Sequence, residues 1–153
     1  MTKEEIQEFS MRITQGNKSA LIVTTYDIIL KYLADAQQEY EHGDTDKFVF
    51  DVKKANEFLA ELMRALDLQY PVALQLLQLY RYIQKMLMKA VFQKKPDSLQ
   101  GPEQMLASLK EAFEEVARQD NSVAFAGGQV YAGLTYGKSS LNETYEPNPG
   151  FRV

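Results

Sequence analysis

The spacing of apolar residues predicts a chain that is helical from its N-terminus to about residue 121. The most apolar stretch is residues 20–33, ALIVTTYDIILKYL. Ile22, Tyr26, Ile29 and Leu33 follow one another at intervals of four, three and four residues, which places them on one stripe of an α-helix. Other apolar residues lie off that stripe. We therefore expect this helix to be buried or to meet a partner over most of its circumference.

A short helix before this stretch and three long helices after it are predicted from the same spacing and from capping signals. Thr2 and Glu5 form a capping-box pattern, and Ser19 is the predicted N-cap of the apolar helix. Asp44 is expected to cap the next helix, and Pro71 to open the one after it. The predicted core faces of the last three helices are Phe48, Val52, Ala55, Leu59, Leu62 and Leu66; Val72, Leu76, Leu79, Ile83, Met86 and Ala90; and Leu106, Leu109, Phe113 and Val116.

The short connections between these long helices predict an all-α fold. Helices joined by short loops pack as antiparallel neighbours, so residues 1–120 are expected to form an up-down four-helix bundle with the short N-terminal helix laid on it. Residues 121–153 are rich in Gly, Ser, Asn and Pro and carry scattered aromatic residues, and they show no helical periodicity. They are predicted to form an extended C-terminal tail.

Composition excludes several classes of function. The net charge of −4 and the pI near 5.1 argue against nucleic acid and anionic membranes as main partners. The chain has no cysteine, which removes disulfides and thiolate chemistry. The N-terminus does not resemble a signal peptide, and no apolar run reaches the roughly 20 residues that span a bilayer. We therefore expect a cytosolic protein.

Two possible catalytic or ligand-binding features fail on inspection. Residues 133–139, GLTYGKS, resemble a phosphate-binding loop, but three residues separate the glycines where the Walker A pattern has four, and no flanking strand and helix are predicted. His42 is the only histidine, and one histidine cannot supply a di-iron or zinc site. A phosphotransfer bundle would carry its histidine in the middle of a helix, whereas His42 lies at a predicted helix end, so that alternative is disfavoured. No enzyme activity, metal or cofactor is predicted.

The helices carry more apolar surface than one face requires. This second set comprises Leu21, Ile28, Leu30, Phe50, Phe58, Leu77, Tyr80, Leu87 and Val91. In a bundle each helix touches two neighbours, so a wide apolar stripe is compatible with an ordinary core. The alternative is a groove that receives the amphipathic helix of another protein.

Three segments resemble the flagellar export chaperones of the FliS type. Residues 21–33, with Tyr26 and Asp27, are similar to that family's Leu-x-Leu-x-Leu-Tyr-Asp-Gly-Ala motif, although Ile28 and Ile29 replace the small Gly-Ala pair. Residues 54–67 resemble its next helix. Residues 79–83, LYRYI, are similar to its Leu-Tyr-Asp-Tyr-Met segment. The resemblance covers roughly residues 9–118.

The resemblance implies a cytosolic chaperone that binds the C-terminal segment of flagellin, keeps it monomeric and brings it to the flagellar type III export machinery. Together with the surplus apolar rows, it suggests ten partner-binding residues. They are Phe9, Ile13, Leu21, Tyr26, Asp27, Leu30, Lys54, Leu77, Tyr80 and Leu87. A helical adaptor whose grooves mediate homo-oligomerisation, with a homodimer as its end state, is the alternative.

Two segments are expected to cover the grooves when the client is absent, because each carries apolar residues and neither can fold alone. The first is the N-terminal helix, through Ile6, Phe9 and Ile13. The second is the tail, through its apolar residues Val130, Tyr131, Leu134 and Tyr136.

Overall fold

The computed structural model describes residues 1–122 and the side chains of residues 1–119, and this part of the chain contains five helices and no strand. They are α1 (Lys3–Gln15), α2 (Lys18–Glu41), α3 (Thr45–Ala65), α4 (Pro71–Gln93) and α5 (Gln100–Ser122). The predicted all-helical fold is confirmed. No helix within this part is long and apolar enough to cross a membrane. The predicted tail and its groove-covering residues lie outside the described residues.

Local capping signals set most of the helix starts as predicted. At α1 the side chain of Thr2 accepts a hydrogen bond from the backbone N–H of Glu5, and the Glu5 carboxylate accepts one from the backbone N–H of Thr2. Asp44 caps α3 by accepting from the backbone N–H of Lys47 at 3.0 Å. Pro71 is the first residue of α4, where its missing N–H is not needed.

Asn17, not Ser19, is the N-cap of α2. Its backbone is extended, and its side-chain oxygen accepts a hydrogen bond from the N–H of Ala20 at 2.9 Å. Ser19 lies inside the first turn and is buried. The helix therefore begins at Lys18, directly after Asn17, and the earlier of two good capping residues is used.

The helix α2 is the centre of the fold. Twelve of its 24 residues are buried, including all six from Leu21 to Tyr26, so burial on nearly every side is confirmed. The helices α3 and α5 pack along it, α1 lies on it, and α4 packs mainly on α3 with a smaller contact to α5. An up-down four-helix bundle for the long helices remains a prediction.

The buried face of α4 differs from the predicted one. Val72 and Leu79 were assigned to the core face, but they are 44% and 38% exposed. The core face consists of Ala73, Leu76, Tyr80, Ile83, Leu87 and Ala90. Apolar residues occupy most rows of this helix, so their periodicity did not determine which row meets α3.

Candidate partner-binding site

The helix α1 rests on α2 without burying any residue of its own. Phe9 and Ile13 are half-buried, and Ile13 packs against the main core. A helix of this length is only marginally stable alone in water. Its position therefore depends on the contacts it makes with α2.

Charged side chains supply much of that attachment. Arg12 Nη2 lies 2.6 Å from Asp27 Oδ2, and Glu5 Oε1 lies 3.1 Å from Lys31 Nζ. The α-amino group of Met1 lies 2.8 Å from Asp35 Oδ2. These three contacts all join residues 1–12 to α2. We call the boundary between α1 and α2, which they cross, the α1–α2 seam.

Asp27 joins three helices through one carboxylate. While its Oδ2 binds Arg12 of α1, its Oδ1 lies 2.6 Å from the Nζ of Lys110 on α5. The hydrogen bond to Asp27 raises the pKa of Lys110 above its ordinary value. Because both pairs are partly exposed, each is expected to contribute only about 0.2–1 kcal/mol.

The ionisation of the seam follows from these contacts. The pKa of Glu5 is lowered by the hydrogen bond from the Thr2 backbone and then by Lys31. The pKa of Lys31 is raised by its hydrogen bonds to Asp35 and to Glu5. Burial alone would raise the pKa of Asp35, but hydrogen bonds from Lys31 and the Met1 ammonium lower it below its ordinary value. Glu5, Lys31 and Asp35 are therefore held in their charged forms at neutral pH.

A groove of about 410 Å³ opens where α1 ends and the chain turns into α2. Arg12 and Gln15 of α1 form one wall, and Ala117 and Arg118 of α5 form the other. The α2 side contributes the small or apolar residues Ala20, Val23 and Thr24. The groove is continuous with the α1 attachment, because Arg12 belongs to both.

Two of the predicted partner-binding residues meet in the core. The hydroxyl groups of Tyr26 on α2 and Tyr80 on α4 are hydrogen-bonded to each other, and both side chains are fully buried. The ring of Tyr26 also stacks on Phe113 of α5, with centroids 5.7 Å apart. This cluster links α2, α4 and α5 across the interior.

The ten predicted partner-binding residues fall into two groups. Leu21, Tyr26, Tyr80 and Leu87 are buried, so a partner could touch them only after helices separate. The half-buried ones are Phe9, Ile13, Asp27, Leu30, Lys54 and Leu77. Their role in binding remains a prediction.

Three of the half-buried residues belong to the seam, and Lys54 does not. Phe9, Ile13 and Asp27 lie where α1 meets α2, with Arg12 stacked 5.4 Å above the Phe9 ring. Lys54 lies on α3, where its Nζ pairs with Glu57 at 3.1 Å. The structure thus gathers only part of the predicted set at one place.

The sequence analysis missed the charged partners Arg12, Lys31 and Lys110. One signal was available. Asp27, Lys31 and Asp35 recur every four residues along an otherwise apolar helix, which places three charges on one stripe and indicates polar partners on the neighbouring helices. The identity of those partners depends on tertiary packing.

Comparison with known families assigns the chain. A family model described as "Flagellar protein FliS" matches residues 1–120, which include α1 and nearly all of α5. The chain belongs to the FliS family of flagellar export chaperones. Comparison with curated proteins gave no match. FliS is a chaperone family and not an enzyme family, and residues 1–119 contain no cluster of three or more His, Asp or Glu side chains arranged to hold a metal ion.

Proposed function

We propose that this FliS-family protein acts in the cytosol, where it binds the C-terminal segment of flagellin and prevents its polymerisation before delivery to the flagellar type III export apparatus. In this proposal the four long helices form an up-down bundle. One observation carries the proposal. The helix α1 lies on α2, half of whose residues are buried, yet α1 buries no residue of its own and is attached largely by charged side chains.

An amphipathic client helix is suited to replace α1. Its apolar anchors would take the places of Phe9 and Ile13 on α2, as helices do in grooves of this kind. The partly exposed pair between Arg12 and Asp27 would be exchanged for hydrated charges at little cost. The apolar surface of the client, which is exposed to water before binding, supplies the driving force.

We assign direct client contact first to the half-buried α2 residues Asp27 and Leu30, which α1 would uncover on leaving, whereas Phe9 and Ile13 of α1 mark the places that the client's apolar anchors would take. The buried residues Tyr26 and Tyr80 are proposed to hold the surface in shape. This division makes a specific distinction: Leu30→Asp should weaken client binding without changing helicity, whereas Tyr80→Ala should lower stability.

Calorimetric titration with a flagellin peptide tests the function itself. A peptide comprising about the last 40 residues of the host's flagellin should bind stoichiometrically, with a strongly negative heat-capacity change from apolar burial and coupled folding. Absence of binding both to the full chain and to a variant lacking residues 1–15 would contradict the proposal.

Weakening the attachment of α1 tests the displacement. Deletion of residues 1–15 should tighten peptide binding, and Arg12→Gln should tighten it up to about fivefold, because displacement no longer breaks the pair with Asp27. Glu61→Gln, which breaks the pair with Arg64 on α3, is the matched control and should leave the affinity unchanged. Unchanged affinity in both α1 variants would mean that α1 does not compete with the client.

Self-association is the second candidate function, and exposed apolar residues such as Phe50 on α3, which is 56% exposed, favour it. Concentration-dependent mass measurement separates the two functions. A chaperone should form a defined complex with the flagellin peptide, whereas an adaptor whose purpose is homo-oligomerisation should keep its oligomeric mass when the peptide is added.

A further inference from the structure

The outer surface of α4 is apolar to a degree found nowhere else in the described part of the chain. Eleven large apolar side chains are exposed between residues 1 and 119, and seven of them lie between residues 68 and 92. They are Leu68, Val72, Leu74, Leu79, Tyr82, Met88 and Phe92. Large apolar patches on a protein surface usually mark an interaction site.

This apolar surface is combined with a strong positive charge. Residues 68–96 contain five of the 17 basic residues of the chain and none of its 21 acidic residues. Arg81, Lys85, Lys89, Lys94 and Lys95 are all exposed. Within residues 1–119 none of these five takes part in an ion pair. The ion pairs of this part of the chain join residues three or four positions apart on one helix, or residues of separate segments.

The two features lie on one stripe of the helix. Leu74, Arg81, Lys85, Met88 and Phe92 are exposed, and they are separated by seven, four, three and four residues. At 1.5 Å per residue, Leu74 and Phe92 are about 27 Å apart along the axis, or about five helical turns. The stripe therefore presents apolar anchors at both ends with positive charges between them, and Lys89 lies beside it. We call these six residues the α4 stripe.

We propose that the α4 stripe binds an acidic amphipathic helix of a partner protein, at a surface separate from the α1–α2 seam. Its apolar residues would contact Leu74, Met88 and Phe92, and its carboxylates would pair with the basic residues between them. The argument is one of charge complementarity. It goes beyond the proposed flagellin binding and does not rest on it, because α1 packs on α2 whereas α4 packs mainly on α3.

A second copy of this chain fits the stripe poorly. Two α4 stripes facing each other would bring like charges together. The acidic outer face of α5, with Glu111 and Glu115 exposed, shows no exposed large apolar side chain up to residue 119. It could satisfy the charges of the stripe but not its apolar anchors.

Two other occupants also match less well. Residues 123–153 contain two acidic and two basic residues and so offer no net negative charge to the stripe. An anionic membrane would match the lysines, but the core face of α4 is already buried, and the chain as a whole carries a net charge of −4. An acidic helix matches both the anchors and the charges.

The test uses the full chain and two synthetic helical peptides of about 20 residues, matched in length to the stripe. One peptide has leucines at positions i, i+4, i+7 and i+11 with flanking glutamates, and in the other every glutamate is replaced by lysine. Fluorescence anisotropy should show that the acidic peptide binds at least about tenfold more tightly than the basic one, with affinity falling as salt rises.

Two variants make the test specific to the stripe. The triple variant R81E/K85E/K89E should reverse the preference between the peptides, and Met88→Gln with Phe92→Gln should weaken binding of the acidic peptide at least about tenfold. All five side chains are exposed, so both variants should retain wild-type helicity. The triple variant R64E/K53E/K47E on α3, which changes the same net charge elsewhere, should retain the wild-type preference.

Several outcomes would overturn the proposal. One is equal binding of the two peptides, and another is loss of the preference in the α3 control variant. A third is charge-dependent binding to phosphatidylglycerol vesicles without binding of the acidic peptide, which would assign the stripe to a membrane. Reduced affinity of the R81E/K85E/K89E variant for the flagellin peptide would show that the stripe belongs to the client site and is not separate from it.

Discussion

The helices α1 and α2 are consecutive in the chain but are held in place by different forces. Half of the residues of α2 are buried, and three other helices pack against it. No residue of α1 is buried, and its attachment combines partly exposed ion pairs with the packing of Ile13 against the core. One family model matches the segment that contains both helices, but the two helices are not expected to contribute equally to the stability of the fold. We therefore expect the other four helices to keep their core when α1 is removed.

The largest expected difference between the two helices is in core packing. Ile29→Ala in α2 removes a fully buried side chain and should lower the free energy of unfolding by about 3 kcal/mol. Ile13→Ala, the same change at a half-buried position of α1, should cost less than about 1 kcal/mol. Urea denaturation followed by circular dichroism measures both. Similar losses would mean that α1 is part of the cooperative core.

A smaller effect is expected at the junction between them. Asp27→Asn removes the charge that binds Arg12 and Lys110 and should lower the stability by about 1 kcal/mol. Its main effect should be local, with faster hydrogen exchange of the α1 amides and little change in α3 and α4. Glu61→Gln, which breaks an exposed pair within α3, is the control. Equal acceleration in all helices would indicate that Asp27 stabilises the whole fold and not the attachment of α1.

The smallest expected effect is a pH dependence that separates the two regions. The folded pKa values of Glu5 and Asp35 are lowered from the ordinary values of 4.5 and 3.8. Their contribution is therefore complete above those ordinary values and is lost as the pH falls through the lower folded values. Burial raises the pKa of Asp51 on α3 and of Glu103 on α5, so their protonation relieves a desolvation cost in the long helices as the pH falls.

Acidification should accordingly release α1 before the other helices unfold. NMR spectra of the backbone amides recorded between pH 6 and pH 3 should show the resonances of residues 3–15 shifting first. The variant lacking residues 1–15 should lose less stability over the same range than the full chain. Simultaneous loss of all helical resonances would contradict this order.

Local chemistry explains why the helices could be predicted and the contacts between them could not. Caps such as Thr2 and Asp44 and the apolar spacing act within a few residues, so the sequence is sufficient to locate the helices. The predicted buried face of α4 was wrong because apolar residues lie on most faces of this helix. Only tertiary packing, which includes the hydrogen bond between Tyr80 and Tyr26 of α2, decides that Tyr80 is buried and Leu79 is exposed.

The candidate site shows the same division. Phe9, Ile13 and Asp27 were predicted as partner-binding residues and lie at the α1–α2 seam, although their role in binding is untested. Their charged neighbours Arg12 and Lys110 were not predicted. Arg12 is 15 residues from Asp27, and Lys110 lies on another helix, so no local pattern joins them. Such pairs are determined by how helices are rotated and how far they slide along one another.

The hydrogen-bonded pair of Tyr26 and Tyr80 also makes the interior optically visible. The chain has no tryptophan and nine tyrosines, so its near-ultraviolet circular dichroism arises mainly from tyrosine side chains in fixed, asymmetric surroundings. These two rings are fully buried, and one of them stacks on Phe113. A ligand that only replaces α1 leaves their surroundings intact, whereas one that parts the long helices must disturb them. The protein thus carries an intrinsic probe that distinguishes surface exchange from opening of the core, with no label added.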